Sequence, residues 1–334
     1  MKEDHPLVVD RTAADKKRLS AFVFLLTLSV VAGYGSLIET ARLALNQDAF
    51  TYIPLVLMLS VAFLYLRWHS VRNLATYSVA AGVPLLLIAA GIILGGYFWS
   101  SPLSDDALLS VRMAALVVWW VGAFTLCFGW KASRVALFPL LFLFAVVPLP
   151  AAVLDWIVSQ LQIGSAWSAM ALFRLFGVPV LRDGVFLNLP GLTLQIATEC
   201  SSIRSSSMLL VTAIGVAQML LRTRWRKAVV ILAAVPLSVA KNGLRIFTIA
   251  MLSINIDPGY LTGKFHRQGG VVFFVVALGL LLLLVWWLRK GEKRPKAKVE
   301  GDASGATVSG PIEASEDPTG DQGGLNREER VVVP

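Results

Sequence analysis

Apolar residues along the chain are grouped in long runs separated by short polar segments. A helix needs about 20 such residues to cross the hydrocarbon core of a bilayer. Eight runs are predicted to be spanning helices: 19–38, 50–66, 77–99, 111–129, 135–149, 203–221, 228–247 and 271–288. The 334 residues are 56% hydrophobic and only 15% charged, whereas about a quarter of the residues in a soluble domain are charged. The pattern predicts an all-α polytopic membrane protein with about eight transmembrane helices and excludes soluble globular, fibrous and disordered chains.

The segment between the fifth and sixth runs, residues 150–202, is patterned differently. An apolar stretch at 152–176 is interrupted at helical spacing by Asp155, Ser159 and Gln162, which predicts an amphipathic helix lying on the outer leaflet or dipping into it. Turn signals then separate short apolar runs, at Gly177-Val178-Pro179, Arg182-Asp183-Gly184 and Leu189-Pro190-Gly191. Such spacing indicates extended structure. We expect a small extracytoplasmic lobe before the sixth span.

Basic residues lie mainly on one side of this pattern. With the N-terminus inside, the segments predicted to face the cytoplasm carry nineteen Lys and Arg residues up to residue 298, and the outer segments carry five. The positive-inside rule therefore predicts that both termini are cytoplasmic. Topology and contact with anionic membrane lipid explain the net charge of +9, so no nucleic-acid partner is expected.

Three regions follow from these patterns. Residues 1–18 are a cytoplasmic N-terminal segment, and residues 19–289 are the transmembrane domain. The first apolar run is long for a signal peptide and no clear cleavage site follows it, so it is predicted to be a retained helix. Residues 290–334 are rich in Gly, Ser, Pro, Asp and Glu, a composition that cannot bury a core, and are predicted to be a disordered cytoplasmic tail.

One of the two cysteines is placed for reactivity. Cys200 lies at the outer start of the sixth span, and Arg204 follows one helical turn later. The positive end of a helix dipole and a nearby guanidinium both favour the nucleophilic thiolate. Cys127 lies inside the fourth span and is expected to pack as a small apolar residue. Two distant cysteines form neither a disulfide framework nor a zinc motif.

Further polar residues are predicted on the same side of the membrane. Lys241, Asn242 and Arg245 interrupt an apolar stretch and fall in the outer half of the seventh span. Charges within a span usually face a polar cavity. His266 precedes the eighth span and is the one histidine of three that this topology places outside. A thiol, an imidazole and a cation supply nucleophile, proton transfer and charge stabilisation for acyl transfer.

Two other functions fit the same residues. A transporter or flippase-like protein would use Arg204, Lys241 and Arg245 as a cationic cavity and would tolerate loss of Cys200. A structural partner of a polysaccharide export system would tolerate substitution at Cys200, Arg204, Arg245 and His266. Singly, each feature also has a simpler explanation: the cysteine packs, the histidine is solvated and Arg204 extends to lipid headgroups.

The order of the motifs resembles the exosortase/archaeosortase family of membrane transpeptidases over roughly residues 140–285. The matching motifs are Val147-Pro148-Leu149-Pro150, Leu161-Gln162, Gly177-Val178-Pro179-Val180, Asp183-Gly184, Glu199-Cys200-Ser201-Ser202-Ile203-Arg204-Ser205, Asn242-Gly243-Leu244-Arg245 and His266-Arg267-Gln268-Gly269-Gly270-Val271-Val272-Phe273. The last three are similar to the family's Cys-Ser-Gly-x-Arg-Ser, Asn-x-x-Arg and His-x-x-x-Gly-x-x-Phe. Ser202 departs from the family glycine, which changes backbone freedom but removes no reactive group.

The resemblance implies a cysteine peptidase/transpeptidase that cleaves the C-terminal sorting signals of exported proteins. Cys200, Arg245 and His266 would be catalytic, and Arg204, Glu199 and Asn242 would position the substrate or stabilise the thiolate. The substrate would carry a short motif, one membrane helix and a basic end, and an exopolysaccharide or a lipid is a candidate acceptor. No metal or organic cofactor is implied. The expected location is a bacterial inner membrane, with the active site on the periplasmic face.

Overall fold

The computed structural model describes residues 6–98, 104–196, 203–257, 259 and 270–292. In these ranges the chain is mainly helical, with three short strands and two 3₁₀ turns, Asp48–Phe50 and Leu143–Val146. The helices, numbered in chain order, are α1 (Pro6–Ala32), α2 (Tyr34–Asn46), α3 (Ile53–Leu66), α4 (Trp68–Asn73), α5 (Val79–Phe98), α6 (Asp105–Phe128), α7 (Trp130–Val135), α8 (Leu137–Phe142), α9 (Ala151–Leu175), α10 (Ile203–Leu220), α11 (Arg224–Asn255) and α12 (Gly270–Lys290).

Several of these helices have the length and composition of membrane spans. Within the described ranges, five qualify: Asp48–Leu66, Asp105–Phe128, Ile203–Leu220, Arg224–Asn255 and Gly270–Lys290. Two bent helix pairs raise the number to seven if each pair is one span. The third predicted span corresponds to a shorter apolar helix, Val79–Gly95. The predicted class, an all-α polytopic membrane protein, is confirmed, and the count of eight stays a prediction.

The first predicted span, 19–38, is not one straight helix. α1 and α2 meet at Gly33 with a bend of 77°. A Cβ at Gly33 would lie 2.6 Å from Leu116 Cδ1, so glycine allows this corner to approach α6 closely. Trp119 Nε1 donates to Leu25 O at 3.0 Å, which also holds α1 against α6. The apolar run alone did not reveal this break.

The second bend separates α8 from α9 and measures 93°. It falls at Val147-Pro148-Leu149-Pro150, where the fifth predicted span, 135–149, ends; proline stops the helix there. α9 begins at Ala151, whose amide donates to Asp106 Oδ2 at 2.5 Å. The predicted helix over 152–176 is therefore present as α9, and its position relative to the lipid stays a prediction.

Three strands follow α9 and form one antiparallel sheet in the order β1 (Leu181–Asp183), β2 (Phe186–Leu189) and β3 (Leu192–Gln195). The second turn contains Pro190 and Gly191, and the positive φ of 79° at the glycine suits this residue. Leu187, Leu189 and Ile196 are buried with Phe173 of α9 and Ala250 of α11. The predicted extended structure is present, and its placement outside the membrane stays a prediction.

The start of α11 and the end of α12 are joined by hydrogen bonds. Glu292 accepts hydrogen bonds from the amides of Arg222 and Thr223 at 2.9 Å each, at the start of α11. Arg226 of α11 donates to Leu288 O at 2.6 Å and to Gly291 O at 2.7 Å, at the end of α12. Ordered contacts thus extend to Glu292 in the predicted tail, and residues 293–334 lie outside the described part of the chain.

Candidate functional site

The predicted site residues fall into two groups. Arg204 lies in the first turn of α10, and Lys241, Asn242 and Arg245 lie in the second half of α11. The other three predicted residues, Glu199, Cys200 and His266, lie outside the described residues. The structure therefore describes the helices that adjoin the segments containing the cysteine and the histidine.

Two adjacent residues of α11 bond to different helices. Lys241 is only 6% exposed, and its Nζ donates a hydrogen bond to Ser205 Oγ of α10. Asn242 is 1% exposed, and its Nδ2 donates to Ser165 Oγ of α9 at 2.8 Å. Adjacent helical positions point about 100° apart, which allows this division. Polar side chains thus connect α11 to α10 and to α9 at one level.

Close packing of α9 on α11 occurs at the same level. A Cβ on Gly243 would lie 2.9 Å from the Ala169 amide nitrogen and closer still to the Ser168 side chain. Only glycine fits this position without a shift of one helix. Arg245, half-buried, follows one turn after Lys241, so its backbone position depends on this contact.

Arg204 has a carboxylate partner that no sequence pattern indicates. Its Nη1 lies 3.3 Å from Asp48 Oδ1, in the 3₁₀ turn that precedes α3. The two side chains are 62% and 71% exposed, so the pair contributes little to stability. It orients the guanidinium at the start of α10. A sequence separation of 156 residues offered no signal for it.

The chain leading towards Cys200 is also held by α9. Gln162 Nε2 donates to Ile196 O at 2.9 Å, just after β3. Gln162 and Ser165 are three residues apart and share one face of α9. On this face, Gln162 bonds to the residue that follows the sheet, and Ser165 bonds to α11. The spacing of Asp155, Ser159 and Gln162 indicates a polar face of this helix, and Ser165 extends it in the structure.

An apolar cavity of about 390 Å³ lies beside the start of α10. Its walls include Phe142, Leu154 and Leu161, and its polar lining includes Ser206 and Ser238. Such a lining accepts hydrocarbon side chains and offers few polar contacts. Across the described residues, no group of three or more His, Cys, Asp or Glu side chains is placed to bind a metal ion. At the candidate site, Lys241 bonds to Ser205 and Arg204 pairs with Asp48.

These features define a class: an all-α polytopic membrane protein with buried cationic and amide groups where three helices meet. A profile described as transmembrane exosortase (Exosortase_EpsH) matches residues 44–283. The match covers most of the chain, and the chain belongs to the transmembrane exosortase family. Searches of curated proteins and of solved structures return no significant match. Family membership supports a membrane-bound transpeptidase of protein sorting as the general class of enzyme.

Proposed function

We propose that the protein cleaves the C-terminal sorting signals of exported proteins by means of Cys200 and transfers the remaining chain to an acceptor. The observation that carries the proposal is the family match over residues 44–283, because this range includes Cys200, Arg245 and His266. The site is proposed to face the periplasm of a bacterial inner membrane, as the positive-inside rule predicts. A substrate anchored by one C-terminal helix would present its motif on that side.

In the first half of the reaction, the Cys200 thiolate attacks the carbonyl carbon of the scissile peptide bond. The carbonyl electrons move to the oxygen, and Arg245 stabilises the resulting negative charge. When the intermediate collapses, the carbon–nitrogen bond breaks and His266 gives its proton to the departing amine. The membrane helix of the substrate leaves with that amine, and the remaining chain stays as a thioester on Cys200.

In the second half, an acceptor nucleophile attacks the thioester. His266, now neutral, takes the proton of an attacking amine, hydroxyl or water, and the carbon–sulfur bond breaks to regenerate the thiolate. Transfer to an exopolysaccharide or a lipid would use a hydroxyl or an amine, whereas water would complete hydrolysis. No step needs a metal or an organic cofactor.

The contacts of the described residues support different roles for the polar groups. Asn242 is buried and bonded to Ser165, so we assign it a positioning role rather than contact with substrate. Lys241 is engaged with Ser205 next to Arg204, which fixes α10 against α11. Arg204 is exposed at the start of α10 and is the group that we propose to stabilise the thiolate or orient the substrate. Glu199, beside the nucleophile in sequence, is proposed to act with it.

Chain connectivity agrees with this assignment. A chain extends at most about 3.6 Å per residue. Cys200 is three residues from Ile203, and His266 is four residues from Gly270. Three residues of chain span at most about 11 Å, and four residues span at most about 14 Å. Since α10 and α12 pack together in one core cluster, both limits are compatible with a shared site.

An immunoblot of a tagged substrate that carries a motif, a membrane helix and a basic end tests the proposal. Cells expressing wild-type protein are expected to remove the helix, and Cys200→Ala is expected to abolish removal. Cys127→Ala is the matched control, because this buried cysteine of α6 has no proposed part in the reaction. Arg245→Lys is expected to lower processing, because lysine keeps the charge but loses the fork of donors.

The outcomes separate the three candidate functions. If the Cys200→Ala protein still processes the substrate, Cys200 is not the nucleophile. With all proteins confirmed in the membrane, retention of function in Cys200→Ala and loss in Arg245→Ala would favour the transporter. Tolerance at Cys200, Arg204, Arg245 and His266 together would favour a structural component of an export system.

A further inference from the structure

A large charged cavity lies away from the proposed site. It measures about 810 Å³ and lies between α1, α4, the segment after α4, and α7. Its lining includes Asp15, Arg18, Arg72 and Lys131, together with Trp68 and His69. The charge distribution of the sequence predicts that these residues face the cytoplasm.

Cations outnumber the carboxylate in this cavity. Asp15 is the one carboxylate among the described lining residues. It accepts hydrogen bonds from Nε and Nη2 of Arg72 at 3.2 and 3.0 Å, and its other oxygen lies 3.6 Å from Arg18 Nη1. One negative charge is thus shared between two guanidinium groups, and Lys131 adds a third cation. The lining has a net charge of about +2 with histidine neutral, which favours an anionic ligand.

One donor of Arg18 has no acceptor among the residues that the structure describes. The Nε of Arg18 is buried and has no hydrogen-bond partner among the described groups, and the side chain is 18% exposed. A buried donor without a partner is costly. Phosphate oxygens accept two parallel hydrogen bonds from a guanidinium and therefore suit the two arginines that line the cavity.

An adjoining cavity has an apolar side. It measures about 240 Å³, shares Asp15, Trp68 and Arg72 with the larger cavity, and adds Leu19 and Phe128 to the lining. Basic groups therefore lie next to leucine and aromatic side chains at the polar end of the apolar part of α1. A soluble phosphate would leave the apolar surface uncovered, whereas a lipid would cover both surfaces.

The walls of the cavity are held by contacts between distant parts of the chain. Thr76 donates its amide hydrogen to Phe128 O at 3.0 Å, beside Gly129, which has a φ of +88°. A Cβ at Gly129 would collide with the Thr76 carbonyl. Arg67 Nη1 donates to Val135 O at 2.6 Å, which ties the start of α4 to the end of α7. These contacts fix the positions of α4, α6 and α7 around the cavity.

We propose that this cavity binds the phosphate headgroup of an anionic phospholipid of the cytoplasmic leaflet. Arg18, Arg72 and Lys131 bind the phosphate oxygens, and the start of an acyl chain lies against Leu19 and Phe128. This site is independent of the proposed catalytic function. Binding of the lipid would hold α1, α4 and α7 together.

Native mass spectrometry of the purified full-length protein tests this site. The protein is equilibrated in mixed micelles with equal fractions of phosphatidylglycerol and phosphatidylcholine. Preferential retention of phosphatidylglycerol is expected, and Lys131→Gln is expected to weaken that binding about fivefold, the contribution of one basic side chain near a membrane surface. Arg134→Gln is the matched control, because Arg134 is an exposed cation of the same helix, α7, that does not line the cavity.

Two further arms identify the ligand. Glycerol phosphate and inorganic phosphate, added at the same concentration as the lipid, are expected to displace little phosphatidylglycerol, because neither covers the apolar wall. If either soluble phosphate displaces phosphatidylglycerol as effectively as added lipid does, the ligand is a soluble phosphate and the lipid proposal is overturned. Equal retention of the two lipids, or equal losses in Lys131→Gln and Arg134→Gln, would overturn the site. Thermal unfolding in lipid-free detergent checks that both variants fold like the wild type.

Discussion

The contact between α9 and α11 is sensitive to one added carbon atom at Gly243. A Cβ there would lie 2.9 Å from the Ala169 amide nitrogen and closer still to the Ser168 side chain. Non-bonded carbon atoms pack at about 3.5–4.0 Å. Gly243→Ala therefore requires the helices to separate by at least about 0.6 Å. Ala169 is fully buried, so the neighbouring atoms have little space to move into.

The size of the effect follows from three contributions. Overpacking a buried contact costs about 1–3 kcal/mol. The better helix propensity of alanine offsets about 0.5–1 kcal/mol of this cost. Separation of the helices also weakens the 2.8 Å hydrogen bond between Asn242 and Ser165, which adds about 1 kcal/mol. Gly243→Ala is expected to lower the free energy of unfolding by about 1–3 kcal/mol and to reduce substrate processing, because Arg245 moves with the helix.

Unfolding in mixed micelles of increasing SDS fraction measures the first effect, and the substrate immunoblot measures the second. Gly279→Ala in α12 is the matched control, because a Cβ there meets nothing within 4 Å, and it is expected to gain about 0.5–1 kcal/mol. Adding Ser168→Gly to Gly243→Ala removes the nearest side-chain atoms and is expected to restore part of the loss. Equal stability of the Gly243→Ala and Gly279→Ala proteins would refute the close approach of α9 and α11.

Three further predictions concern single contacts. Ser165→Ala removes the hydroxyl that accepts from the buried Asn242 side chain and is expected to cost about 1 kcal/mol in SDS unfolding. Asp48→Asn is expected to change stability by less than about 1 kcal/mol but to lower processing on the immunoblot, because Arg204 loses its orienting charge. Backbone hydrogen bonds, first of all that from Thr223, hold the pKa of Glu292 below its usual value. Glu292→Ala is therefore expected to be less stable than wild type at pH values above the usual pKa of glutamate. This difference disappears as the pH falls through the lowered pKa of Glu292 in the folded protein.

The helices were predictable because a helix that crosses the bilayer needs a long run of apolar residues, which is visible in the sequence. α6, α10 and α12 lie close to the predicted spans, and the proline pair at 148–150 marked the end of the fifth span. The bend at Gly33 was not predictable, because it depends on the approach of Leu116 from a distant helix. The two strand turns were signalled locally by Gly184 and Gly191, whose φ values are positive.

For the site, sequence patterns identified residue types but not partners. Lys241 and Asn242 stood out because charged and amide groups are rare in a span. Their acceptors, Ser205 and Ser165, are common residues in membrane helices and carried no such signal. Asp48 is remote in sequence from Arg204 and lies in a turn with no pattern of its own. Partners of this kind depend on how helices pack, which periodicity does not specify.

The motif Asn242-Gly243-Leu244-Arg245 has a structural explanation in α9. The asparagine bonds Ser165, the glycine permits contact with Ser168, and the arginine follows on the next turn. One face of α9 therefore fixes the height and rotation of α11. Since Gln162 on that face also holds Ile196, α9 is a common support for the cationic helix and for the chain that leads to the cysteine. In the proposed two-step reaction, a cysteine and an arginine from separate segments of the chain need such a shared support to keep a fixed distance. The helix before the proposed nucleophile is thus part of the framework of the proposed site rather than a linker.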